Sequence, residues 1–230
     1  MILKMNKKAT IIIVVSVVLL IASIFGLSFI FSRSQEKEER TNTSNTASMN
    51  SLKPTLSKIY EKMLQGQIYT FSLILDDNNK TVTVRNGEKA RIDFYENGVH
   101  ITNIVKGGMT YQLMHKEKQY YEYGSNTVIL TNLLRKFERT KENVKPQKGE
   151  ETLNNILYYY EEYPGTAEFL FNNTGIDTKQ ATTKFYYQDD KLVYIKTILP
   201  DKEELLKVEM SYTSGNTSFD VPADYQKVEL

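Results

Sequence analysis

The chain has no cysteine and no tryptophan, and only two histidines and five prolines. Without cysteine there is no disulfide, no thiolate metal ligand, no cysteine nucleophile and no acylated lipoprotein N-terminus. Two histidines leave any zinc site to be completed by Asp or Glu. The sequence contains no G-x-S-x-G elbow, no phosphate loop and no G-x-G-x-x-G. An excess of one charge is missing too. The 29 basic and 28 acidic residues leave a net charge of +1, too little to steer nucleic acid. These gaps argue against an enzyme, a bound cofactor and a nucleic-acid partner.

What is present speaks first of location. Lys4, Lys7 and Lys8 precede an uncharged run, Ala9 to Phe31, long enough to cross a bilayer as one helix. The basic flank predicts residues 1–8 in the cytoplasm and the remainder outside. A cleaved signal peptide is the competing reading, with Gly26-Leu27-Ser28 as its cleavage site. The apolar run is too long for it, so an uncleaved signal anchor over 9–31 is expected. Residues 32–50 are polar and mixed in charge and read as a flexible linker.

Residues 51–230 read as one extracytoplasmic domain. Leu52, Leu56, Ile59, Tyr60 and Met63 recur at helical spacing, which predicts a helix over Ser51–Gly66. The period then changes to two. Short alternating runs (IYTFSLIL, TVTVR, RIDFY, VHITNIV, TYQLMH, KQYYEY) are separated by Asn, Asp and Gly turns. That pattern predicts an antiparallel meander. A second helix is expected over Ser125–Lys145, with Ile129, Leu130, Leu133, Leu134 and Phe137 as its stripe. PQKGE reads as a loop. NILYYYEEY, ATTKFYY, KLVYIKTIL and LLKVEMSY read as further strands. The fold class is α+β on one large antiparallel sheet.

Several stretches together resemble the LolA-like superfamily of bacterial envelope carriers. They are YTFSLIL, GEKARIDFY, GGMTYQLMHKEKQYYEY, YYYEEY, TTKFYYQDDKLVYIKT and, most specifically, the closing FDVPADYQKV. The resemblance implies a curved antiparallel sheet forming an open, incomplete β-barrel, with helices plugging its concave side. It also implies an apolar hollow for an acyl chain, a lipid or the lipid part of a lipoprotein. Projected onto this chain by alternation, the hollow draws on Phe71, Leu73, Ile92, Phe94, Tyr111, Leu113, Ile156, Phe185, Val193 and Ile195. A slip of one residue flips the face. The lid is Ser51–Gln65 with Thr127–Phe137. The closing segment is then a folded piece in which Phe219 and Val221 share a buried face.

The remaining chemistry reads as structure. Asp76-Asp77 and Asp189-Asp190 sit in turns, where Asp bonds its own backbone. His100 shares a face with Thr102 on what reads as the solvent side, and His115 has no ligand partner near it in sequence, so no metal site is expected. The tyrosine runs Tyr120-Tyr121 and Tyr158-Tyr159-Tyr160 read as packing rather than a stacking platform, since neighbours on a strand face opposite ways. The sequence therefore predicts a single-pass protein of a bacterial cell membrane. Its outer domain would bind a lipid or lipoprotein without catalysis. The alternative is an interaction or sensing domain acting through an envelope partner.

Overall fold

The alternating runs become strands because the turns between them accept a left-handed backbone. Asn97-Gly98, Gly107-Gly108, Asn154-Asn155 and Asp189-Asp190 all have positive φ at both positions, as two-residue hairpins of matching twist require. In the computed structural model, which describes residues 55–124, 127–143, 145–171 and 177–229, these hairpins join into one sheet. The expected tail, membrane helix and linker lie outside the described residues. Among those described, no helix is long and apolar enough to cross a membrane.

Helix α1 is Leu56–Gly66 and helix α2 is Thr127–Asn143. Between them run β1 (Ile68–Ile74), β2 (Lys80–Asn86), β3 (Lys89–Glu96), β4 (Val99–Lys106), β5 (Met109–Met114) and β6 (Gln119–Gly124). After α2 come β7 (Gln147–Leu153), β8 (Ile156–Pro164), β9 (Thr182–Gln188), β10 (Lys191–Ile198), β11 (Glu203–Ser211) and β12 (Gln226–Lys227). Their order is β12-β6-β5-β4-β3-β2-β1-β11-β10-β9-β8-β7. The sheet is open, with β12 and β7 at its two ends. It is antiparallel throughout except where β12 lies parallel to β6.

The α+β reading and both helices stand. The expected PQKGE loop is instead the start of β7, an edge strand paired to β8 from Gln147↔Glu162 to Leu153↔Ile156. Its charged, mostly exposed residues carry no apolar alternation, which is how edge strands resist aggregation. Tyr160 lies across this strand. A Cβ at Gly149 would stand 2.6 Å from its hydroxyl, so the strand has glycine there.

One face of the sheet carries both helices. Thr55 caps α1, its side chain accepting from the Lys58 amide, and Gln67 closes it in the left-handed region. Leu56, Ile59 and Met63 then pack with Leu133, Leu134 and Phe137 of α2 over Phe71, Leu73, Phe185, Tyr187, Ile195, Leu206 and Val208. Phe137 meets Phe71 edge-on at 5.5 Å, and Phe169 meets Phe185 at 5.6 Å. The anchor of this layer is polar. The Glu161 carboxylate is 2% exposed and accepts from the Leu56 amide at 2.8 Å and the Tyr187 hydroxyl at 3.0 Å. Tyr163 donates to it at 3.4 Å, and the Lys148 ammonium lies 3.4 Å away. A carboxylate at a helix N-terminus meets both unpaired amides and the positive end of the dipole. Beside it, burial and the Glu161 charge push the Tyr187 and Tyr163 hydroxyls well above their ordinary pKa.

No described helix lies on the other face. Residues 213–228 cross it as a strap that meets the strands in spatial order. The Thr213 carbonyl accepts from Thr70 of β1, and Asn86 of β2 donates to the Ser214 hydroxyl. The Ser218 carbonyl accepts from Arg91 of β3. Asp220 pairs with Lys106 at the end of β4, and Asp224 with Lys118 beyond β5. The amides of Gln226 and Val228 then donate to the carbonyls of Lys118 and Tyr120 along β6. Phe219, Val221, Tyr225 and Val228 are half-buried between exposed neighbours, so one side of the strap faces the sheet. The closing segment is a folded piece, as expected, but it lies across a face and pairs as a strand only at β12.

Glu161→Ala leaves the α1 N-terminus and two tyrosine hydroxyls without their acceptor. It is expected to lower stability by about 2–3 kcal/mol, the scale of hydrogen bonds to a charged group, read as a lower Tm. Truncation after Thr217 uncovers Ile104 and Leu113, both fully buried on the strap face. It is expected to depress the Tm further, since each large apolar side chain contributes about 1.5–3 kcal/mol on full burial.

Candidate functional site

The register divides the ten residues projected onto the hollow. Residues directly opposite each other share a face. Phe71 stands opposite Thr83, and Thr83 opposite Ile92; Leu73 stands opposite Thr81, and Thr81 opposite Phe94. These four therefore share the helix face with Phe185 and Ile195, which stand opposite each other. Tyr111 and Leu113 do not. Leu113 is opposite Thr102 and Tyr111 opposite Ile104, which belong to the strap face. Ile156 is also on the helix-free face, and 45% exposed. The projection put β5 one residue out because its strap-face residues are apolar too. Val193 sits in a bulge, where the register shifts between Leu192 and Tyr194. The bulge turns Leu192 inward, and it is Leu192 that joins the core.

Within the helix face, Phe71, Leu73, Phe185 and Ile195 are no more than 7% exposed and are already packed against the helices. The β3–β6 half differs. Ala90, Ile92 and Val105, with half-buried Phe94, form an apolar cluster separate from the main core. Phe94, Ile101 and Met114 form one cross-strand row, and Tyr121 and Tyr123 continue this face onto β6, opposite Gln112 and Thr110. All five are half-buried. The floor beneath them is polar. Gln112 donates to Asn103 at 3.3 Å. The Thr110 hydroxyl is fully buried and has no hydrogen-bond partner among the described residues.

The strap face holds a second cluster, which escapes a reading of local sequence. Asp93, Thr102 and Leu113 lie in one cross-strand row, and Tyr95 and His100 in the next. His115 extends β5 by one residue, its amide donating to the His100 carbonyl. The signal was present in the hairpin. A turn at Gly107-Gly108 pairs residues symmetrically about itself, which sets His100 against His115. Tyr95, His100 and His115 stack, with ring centroids 4.1 Å and 3.6 Å apart. The Arg91 guanidinium grips both oxygens of Asp93, at 2.7 Å and 2.9 Å. Thr102, fully buried rather than on a solvent side, lies 2.5 Å from Asp93 Oδ1 and 2.6 Å from His115 Nε2. The Tyr225 hydroxyl of the strap stands 2.6 Å from His115 Nδ1.

The proton positions follow from the chemistry. An ionised carboxylate only accepts, so Thr102 donates to Asp93. Thr102 then accepts from His115 Nε2–H, and the Tyr225 hydroxyl meets Nδ1, donating to it when it is bare and accepting from it when it is protonated. Burial lowers the His115 pKa first and the neighbouring His100 adds to that, with Asp93 opposing. Burial alone would raise the Asp93 carboxyl. The hydrogen bonds from Arg91, Thr102 and His100 outweigh it and hold Asp93 below its ordinary value.

The ligand atoms of Asp93, His100 and His115 lie within 4.8 Å of one another, close enough to suggest a metal site. The set fits one poorly. Thr102 Oγ1 sits among the three atoms, where an ion would be. Both Asp93 oxygens are held by Arg91, a cation. The two imidazole planes differ by only 2°, so their in-plane lone pairs run parallel instead of converging on a point about 2.0–2.1 Å from each nitrogen. The cluster binds the strap.

No family model matches the sequence, and no curated protein matches it. A solved structure of an uncharacterized conserved protein from Thermus thermophilus aligns at 12% identity with a TM-score of 0.42, over 75% of this chain and 97% of that one. A likeness at that level carries neither fold nor function.

Thr102→Val keeps the shape and removes the hydroxyl that joins Asp93 to His115. It is expected to cost about 1–3 kcal/mol, the penalty for buried polar groups left unpaired, measured by denaturant unfolding. Zinc added to the wild-type chain is expected to leave its Tm unchanged; a saturable rise abolished by His115→Ala would mean that the ring geometry opens to hold an ion.

Proposed function

We propose that this chain is a non-catalytic binding protein of a bacterial cell membrane, anchored through residues 9–31 with its domain outside. Its ligand is an acyl chain, a lipid or the lipid part of a lipoprotein. The sheet would act as an incomplete barrel, with α1 and α2 plugging its concave side. The observation that carries this reading is the division of the helix face. One half is sealed by helix side chains. The other offers the half-buried row Phe94, Ile101 and Met114, with Tyr121 and Tyr123 beside it, over a buried Thr110 hydroxyl with no partner among the described residues. Apolar walls with a few placed polar groups are the usual make-up of a small-molecule site. The contact residues are accordingly Ile92 and Phe94 from the projected set, joined by Ile101, Met114, Tyr121 and Tyr123. Phe71, Leu73, Phe185 and Ile195 act as supports.

A second reading rests on the sealed half. Helices that already fill the sheet leave the domain free to act as an interaction or sensing module through a membrane partner.

Native mass spectrometry of residues 52–230, secreted from bacterial cells, separates the two. The first reading predicts an adduct of lipid mass that is lost in Phe94→Glu and kept in Ile156→Asp. An apo mass that takes up no added phospholipid favours the interaction module.

A further inference from the structure

We infer that the site over β3–β6 takes an amphiphile with an anionic head, a carboxylate or a phosphate, and that Arg85 and the Tyr69 hydroxyl receive that head. The inference rests on the lipid reading above and specifies its polar end. The register brings the groups together. Tyr69 stands opposite Arg85, Arg85 opposite Ala90, Ala90 opposite Val105, and Val105 opposite Thr110. Tyr69 lies two residues before Phe71, and Ala90 two before Ile92, so the whole row is on the helix face. It borders the apolar cluster of Ala90, Ile92, Val105 and Phe94.

Arg85 is 8% exposed and forms no ion pair among the described residues. Its Nε donates to the Gly87 carbonyl at 3.0 Å, and its Nη2 reaches Gln67 Oε1 at 3.5 Å. Both acceptors are neutral, and the guanidinium has N–H groups left to give. Its neighbours on this face, Tyr69, Thr83 and Ala90, bring no carboxylate either. Arg91 shows the other arrangement. It sits on the strap face with both oxygens of Asp93 in its grip. A buried charge without a counter-charge is costly, and Arg85 is left in that state. Two hydroxyls of the same row are left in a similar one. Tyr69 is 1% exposed and Thr110 fully buried, and neither hydroxyl has a hydrogen-bond partner among the described residues. Burial raises the pKa of the Tyr69 hydroxyl, and the Arg85 charge beside it opposes the rise. A guanidinium fork with a hydroxyl donor next to it matches the oxygens of a carboxylate or a phosphate. From Ala90 to Phe94 the apolar floor runs about 13–14 Å along β3, which gives the tail a course away from the head.

Isothermal titration calorimetry of the full chain in non-ionic amphipol tests this, with decanoate, decanol and inorganic phosphate as probes. Decanoate is expected to bind at least about tenfold more tightly than decanol, the scale of a hydrogen bond to a charged group. Arg85→Gln should remove that preference, leave decanol binding unchanged and melt no lower than wild type, since it removes an uncompensated buried charge. Tyr69→Phe removes only the hydroxyl. It should weaken decanoate by about threefold, the scale of one net hydrogen bond, with no fall in Tm. If Arg85→Gln melts lower, Tyr69→Phe decides, and an unchanged decanoate affinity there overturns the inference. Decanoate and decanol bound alike by wild type, or a preference that survives Arg85→Gln, overturns it too and leaves the lipid reading standing. Phosphate bound through Arg85 while neither chain ligand binds keeps the anion site but removes the tail, and with it the lipid reading. Binding of none of the three overturns both.

Discussion

A twelve-stranded sheet has two faces to keep from water, and this chain has two described helices to do it. That constraint organises the structure. Both helices go to one face, and the other is crossed by an extended strap. The helix layer depends on one buried carboxylate. Glu161 stands within the sheet among tyrosines and receives the first amide of α1. The apolar contacts of Leu56, Ile59 and Met63 are non-directional and fix no orientation by themselves. A charge-assisted bond at a helix terminus adds direction and orients the whole layer.

The strap solves the same problem with less material. It has only two residues in a ladder, so it relies on points of attachment spread over six strands. Spreading the ties makes the segment specific in register. Placing most of them in solvent keeps it weakly held. The cluster of Asp93, Thr102, His115 and Tyr225 ties the strap to a buried carboxylate, which Arg91 also links to the strap through the Ser218 carbonyl. A buried polar chain of this kind is stable only when every member is satisfied, and here each donor has its acceptor.

Much of this was legible in the residues. Alternation and turn chemistry marked the strands from β1 to β6, and helical spacing marked α1 and α2. The closing FDVPADYQKV could be read as a folded piece. Three things were not legible, each for a physical reason. β7 carries the charges of an edge strand and so lacks the pattern by which strands are recognised. Tyr111 and Leu113 alternate with Gln112, but which side faces the helices is decided by pairing with β4, and apolar residues occur on both sides of β5. The His100–His115 cluster is non-local. Its Asp93 and Tyr225 are 132 positions apart in the numbering, and only the symmetry of the hairpin at Gly107-Gly108 hinted at half of it.

The central claim is that an apolar ligand is taken up over β3–β6 and not beneath the helices. Methyl and aromatic NMR spectra of the domain, titrated with a long-chain fatty acid, test it most directly. The account predicts saturable shifts at Ile101, Met114, Phe94, Tyr121 and Tyr123, with Phe71, Leu73, Phe185 and Ile195 unmoved. Shifts concentrated on the second group would place the ligand under α1 and α2 and contradict it.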